Sequence, residues 1–132
     1  MAEDIMIVDD DPDAREILNL VLGTLEVPVR QARDGVEALE QILKDPPLLV
    51  MLDLAMPRLD GRAVLVALQS NPKTSDIPVL VFTADSVDEA KARELNLPTY
   101  RLMRKGGLSM TKLREAVIRD IKGSVPLDLA NL

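Results

Sequence analysis

Short apolar runs punctuate the chain at Ile5–Val8, Val27–Val29, Leu48–Leu52 and Val79–Phe82, with a weaker one around Tyr100–Met103. Each has the length of a strand, and the stretches between them carry helical patterning. Leu48, Leu49, Val50, Met51 and Leu52 are apolar without a break. That suits a central strand of a parallel sheet, buried on both faces, where in–out alternation fails. Helix starts are marked by their chemistry. Asp11 before Pro12 sets a capping carboxylate ahead of a proline suited to the first turn. Asp34 with Glu37, and Ser86 with Glu89, have capping-box spacing. Near the end, Met110, Leu113, Val117 and Ile121 recur at intervals of three and four, a stripe expected to face the sheet, with Gly123 as the stop. Strand and helix alternating in this way predict a doubly wound α/β domain, with parallel strands, right-handed crossovers and helices on both faces.

Composition narrows the chemistry. The 132 residues have room for one domain. We expect it over residues 1–122, with 123–132 as a tail or truncated linker. Hydrophobic residues at 47% and charged residues at 29% argue for a packed core. With no cysteine and no histidine, disulfide frameworks, thiolate chemistry and the common zinc sets are excluded, so any metal must sit on oxygen ligands. No basic leader runs into an apolar stretch, and no run reaches the roughly 18 apolar residues of a membrane span, so a cytoplasmic protein without membrane contact is expected. A net charge of -6 disfavours direct nucleic-acid binding. The charge is uneven, however: Arg101, Arg104, Lys105, Lys112, Arg114, Arg119 and Lys122 face only Glu115 and Asp120 between residues 101 and 122, making the last helix basic.

In doubly wound sheets ligands gather outside the carboxyl ends of the strands, near the reversal of strand order. That rule selects Asp9, Asp10 and Asp11 after the first strand, Asp53 at the end of the third, Thr83 at the end of the fourth and Lys105 after the fifth. The segments IMIVDDDP, VMLDLAMPRLDG and VLVFTA, with the strand-terminal lysine, resemble the receiver domains of two-component response regulators over about residues 4–122. Asp10, Asp53, Thr83 and Lys105 follow one another at separations of 43, 30 and 22 residues, and Pro57 and Gly61 follow Asp53 at the family's offsets. The resemblance implies a flavodoxin-like five-stranded sheet of order 2-1-3-4-5 with five helices.

It also implies an activity. Asp53 would accept a phosphoryl group from a histidine kinase or a histidine phosphotransfer protein, and a chain without histidine stands on the accepting side of that relay. Several carboxylates a few ångströms apart repel unless a cation intervenes, and oxygen ligands beside a phosphoryl group favour Mg²⁺. Asp10 and Asp53 are the expected direct ligands. The resemblance adds the backbone carbonyl of Ala55 and places Asp9 beside the ion through water. Lys105 would neutralise a phosphoryl oxygen and Thr83 would donate a hydroxyl hydrogen bond to it, pulling the Phe82 to Ser86 loop into a second state with room left by Ala84. Ala55 and Asp85 hold the positions where the family tunes loss of its phosphate. A downstream protein would read the surface formed by residues 87–122, the domain acting as a monomer or weak dimer and as a signalling module rather than an enzyme.

Two departures stand out. Receivers usually follow the lysine with proline, where this chain has Gly106 and Gly107, and their aromatic switch position, three before the lysine, is Leu102, with Tyr100 two residues earlier. They motivate one rival reading, a binding-only pseudo-receiver. Another is an aspartate-nucleophile phosphohydrolase of the haloacid dehalogenase type, suggested by Asp9-x-Asp11, although Pro12 and Asp13 replace its Gly-Thr. Taken singly, Asp9 to Asp11 read as an over-charged helix cap, and Thr83 and Lys105 as ordinary strand and surface residues. The methionines read as core filler.

Overall fold

The computed structural model describes residues 4–54, 61–83, 102–104 and 109–121. In chain order these form β1 (Ile5–Val8), α1 (Pro12–Gly23), β2 (Val29–Ala32), α2 (Gly35–Lys44), β3 (Leu49–Asp53), α3 (Gly61–Ser70), β4 (Val79–Thr83), β5 (Leu102–Arg104) and α4 (Met110–Ile121). The sheet is parallel, in the order β2-β1-β3-β4-β5, as the doubly wound flavodoxin-like fold requires. Four helices fall among the described residues. The fifth, expected after Ser86, and the tail 123–132 lie outside them.

Period-two alternation sorts the strand side chains into two cores. Ile5, Ile7, Leu49, Met51, Leu80 and Phe82 point to one face, where Leu18, Val21, Leu22 and Leu25 from α1 and the following turn, and Leu113, Val117 and Ile121 from α4, cover them. Met6, Val8, Val50, Leu52, Val79 and Val81 point to the other, under Ala38 and Ile42 of α2 and Val64, Leu65 and Leu68 of α3. β1 and β3 are buried at every position, since each has a strand on both sides and helices on both faces. Each such large side chain contributes about 1.5–3 kcal/mol on leaving water.

Two of the three marked helix starts fall among the described residues, and both are capped where the sequence places them; Ser86 and Glu89 lie outside. Asp11 accepts from the amide of Asp13 at 3.0 Å, with Pro12 opening α1, and Asp34 accepts from the amide of Glu37 at 2.9 Å to open α2. Glu37 turns its carboxylate outward, to Arg33 and Gln41 at 3.3 Å each. At the amino-terminal edge of the sheet, Arg30 forks onto Asp4. It donates through Nε to Oδ2 and through Nη2 to Oδ1, and reaches the carbonyl of Asp45 at 2.6 Å just past α2.

Two expectations are corrected. The second strand runs Val29–Ala32 rather than Val27–Val29, because Pro28 has no N–H to give a ladder; only its carbonyl takes part, accepting from Ile5 at 3.0 Å. Met110 shares the helical phase of Leu113 and Val117, but it is 57% exposed at the first turn of α4 rather than part of the stripe covering the sheet.

Candidate functional site

The site is built from two neighbouring central strands. β1 and β3 pair with Ile5 opposite Leu49 and Val8 opposite Leu52, so the next step along each strand sets Asp9 beside Asp53. Both continue the phase of the α1 face, Asp9 after Ile5 and Ile7, Asp53 after Leu49 and Met51. Asp9 is 2% exposed and Asp53 4%, while Asp10 stands in solvent. One carboxylate oxygen from each of Asp9, Asp10 and Asp53 lies within 4.8 Å of the others. Among the described residues, no other three acidic side chains gather in this way. Hard oxygen donors in this number, with one of them open to water, are what Mg²⁺ accepts while it keeps several waters.

Asp9 is fixed on every side. Its amide donates to the carbonyl of Ala32 at 3.1 Å, its carboxylate accepts from the amide of Asp11 at 3.0 Å, and its carbonyl accepts from Nη1 of Arg15 at 2.7 Å. Arg15 is in turn braced by Nε to the side-chain oxygen of Gln31 at 3.2 Å. Asp53 is held by its strand and by two backbone bonds just beyond it. The amide of Leu54 donates to the carbonyl of Phe82, and the amide of Gly61 to the carbonyl of Leu54, each at 3.0 Å, folding the start of α3 onto the strand end.

The acidic triplet therefore divides. Asp9 and Asp10 join Asp53, whereas Asp11 spends its carboxylate on the cap of α1 and has no place in the three-carboxylate cluster. Thr83 closes β4, one step beyond the pairing of Asp53 with Phe82. Ala55 and Lys105 lie outside the described residues, as do Tyr100, Gly106 and Gly107. Beside the acids opens a groove of about 230 Å³, lined by Asp9, Asp11, Ile17, Leu18 and Phe82. Ile17, which lines the groove, is 54% exposed, and Leu20, one turn further along α1, is 62% exposed.

Sequence reasoning missed Arg15 and Gln31. One signal was present: a cation in the first turn of a helix opposes the positive helix terminus, so Arg15 needs a compensating partner there. The basic last helix also reads differently. Lys112 and Arg119 are exposed, but Arg114 is only half exposed and reaches across to the hydroxyl of Thr24 at 3.2 Å, tying α4 to the end of α1.

Comparison with known proteins agrees with this geometry. The family model described as "Response regulator receiver domain" matches residues 5–118. The response regulator MprA of Mycobacterium ulcerans is 47% identical over 93 residues, 70% of this chain but 39% of that protein, and MprA of Mycobacterium bovis is 46% identical over the same length. The matched segment thus spans about two fifths of these curated relatives. Among solved structures, the signal receiver domain of a signal transduction histidine kinase from Syntrophus aciditrophicus superposes with a TM-score of 0.81 at 28% identity, covering 93% of this chain and 92% of that one. The chemotaxis protein CheY4 of Vibrio cholerae, at 21% identity, shares the fold with a TM-score of 0.77 over 90% of this chain and 98% of its own. No helix among the described residues is long and apolar enough to cross a membrane.

Proposed function

The chain belongs to the response regulator receiver domain family, and from that premise we propose that it accepts a phosphoryl group on Asp53 and converts the added charge into a change of protein-binding surface. The observation that carries this reading is the meeting of the Asp9, Asp10 and Asp53 carboxylates within 4.8 Å at the carboxyl ends of adjacent buried strands.

Asp53 is the nucleophile. A carboxylate oxygen attacks the phosphorus of a phosphohistidine on a partner kinase or phosphotransfer protein; the new O–P bond forms as the P–N bond breaks, and the imidazole leaves with its electron pair and takes up a proton. These 132 residues hold no histidine, so the donor side chain lies outside them. The groove beside Asp9 and Phe82 gives that donor room to approach. Asp10 and Asp53 would hold Mg²⁺ directly, with the carbonyl of Ala55 as a third ligand and Asp9 through water. Bound there, the ion would neutralise charge on the transferring oxygens. Lys105 and Thr83 would meet the remaining phosphoryl oxygens, and the inward draw on Thr83 would bias the loop that follows β4. The output surface lies in residues 87–122, where Lys112 and Arg119 of α4 offer exposed positive charge to an acidic partner.

Incubation with a small acyl-phosphate donor and Mg²⁺ tests the reading. The protein should gain one phosphoryl group by mass, and Asp53→Asn should gain none. Uptake that persists in Asp53→Asn, or beryllofluoride with Mg²⁺ leaving the amide spectrum unmoved, would reject it in favour of a hydrolase using Asp9 or of a pseudo-receiver.

A further inference from the structure

We infer that Arg15 is a positioning residue for the cation site, acting through the Asp9–Asp10 peptide; the inference rests on the proposed Mg²⁺-assisted chemistry at Asp53. β1 must stop being a strand at Asp9 for Asp11, two residues later, to cap α1. In an extended strand the N–H and C=O of one residue leave on the same side. The amide of Asp9 donates toward β2, to the carbonyl of Ala32, so the carbonyl of Asp9 also leaves toward β2. β2 ends at Ala32, and the next turn of chain is given over to Asp34, which caps α2. The guanidinium of Arg15 meets the Asp9 carbonyl instead, with Nη1 2.7 Å from it and Nε 3.2 Å from Gln31 on β2. The ladder is in effect extended by one step through a side chain.

The consequence falls on Asp10. The carbonyl of Asp9 and the amide of Asp10 share one rigid peptide plane, so holding the oxygen sets where the Cα of Asp10 sits and where its side chain leaves. Asp10 is the exposed member of the cluster and shares its peptide plane with the carbonyl that Arg15 holds. Arg15 therefore stands one shell outside a cation ligand, and partners in that shell typically govern metal affinity by 10-fold or more.

Charge and position make opposite claims here, and the difference can be measured. By charge alone, deleting a cation beside a cation site strengthens Mg²⁺ binding. By position, Arg15→Met weakens it, by roughly tenfold. The experiment is a Mg²⁺ titration of the unphosphorylated chain followed by amide chemical shifts, with thermal unfolding in EDTA to confirm that each variant is folded. Arg15→Met should bind roughly tenfold more weakly and Arg15→Lys, which keeps the charge and one donor, should fall between it and the parent. Gln31→Met, which leaves Arg15 in place but unbraced, gives a milder variant should Arg15→Met fold poorly, and it too should weaken binding. The rate of phosphorylation from the acyl-phosphate donor should return to the parent's at saturating Mg²⁺, whereas general damage depresses it at every concentration. Mg²⁺ affinity that is equal to or tighter than the parent's in folded Arg15→Met or Gln31→Met overturns the inference and leaves the Asp53 chemistry standing. A parent that takes up no Mg²⁺ overturns both.

Discussion

Gly61 lies directly against the backbone of Asp53: a Cβ added to it would stand 2.2 Å from the Asp53 carbonyl oxygen, 2.9 Å from the carbonyl carbon and 2.5 Å from the Cα of Leu54. All three are backbone atoms, so nothing can swing aside. The first residue of α3 has to be glycine for the helix to close over the end of the strand that carries the proposed acceptor. Gly61→Ala should therefore cost about 1–3 kcal/mol, the usual range for overpacking a filled site, and should slow phosphorylation by shifting Asp53. Urea denaturation and phosphoryl uptake measure the two effects. Gly23→Ala at the end of α1, where an added Cβ meets nothing within 4 Å, is the control and should be neutral or slightly stabilising.

The carboxylate cluster should make Asp10 a liability in the absence of a cation. Asp9, Asp10 and Asp53 repel at separations under 4.8 Å, and for a water-exposed member the repulsion is on the order of 1 kcal/mol. Asp10→Asn should therefore raise the melting temperature in EDTA and abolish the further rise that Mg²⁺ gives the parent. A variant no more stable than the parent in EDTA, or one still stabilised by Mg²⁺ to the same degree, would count against Asp10 as a ligand.

At the opposite edge of the sheet, Asp4 and Arg30 form a fork that also secures the carbonyl of Asp45 after α2. Arg30 is only a quarter exposed, so the loss of its anion leaves a charge in a half-dry setting. Asp4→Asn should lower stability by about 1.5–3 kcal/mol, the range for hydrogen bonds to charged groups. Because the fork lies at the far ends of the strands, Mg²⁺ affinity and phosphoryl uptake should stay at the parent's values. Chemical denaturation paired with the Mg²⁺ titration separates the two.

The strands were most legible where the sheet is most enclosed. β1, β3 and β4 are continuous apolar runs because each is covered on both faces, and burial of that kind writes itself into composition. β2 is an edge strand with Arg30 and Gln31 at its centre, so hydrophobicity points instead to the apolar Val27–Val29, which Pro28 bars from donating. In the site, Asp9, Asp10 and Asp53 could be found from their positions at strand ends and from their spacing. The separate fate of Asp11 was legible too, because the proline that follows marks it as the cap of α1. What Arg15 holds was not, because its partner is a backbone carbonyl, which no side-chain pattern records.

The full enclosure of β1 and β3 would govern how a phosphate on Asp53, if carried as proposed, is lost. Strands walled by neighbours on both sides and helices on both faces should open only when the whole molecule unfolds, and their amides should exchange hydrogen last. Asp53 is rooted in that slow-exchanging centre and does not come out to meet water by local fraying. A phosphate carried there, as proposed, would be hydrolysed by water coming in to the folded state. The lifetime of the mark would then follow access at the rim rather than global stability, and destabilising the fold at a distance would leave the signal's duration unchanged.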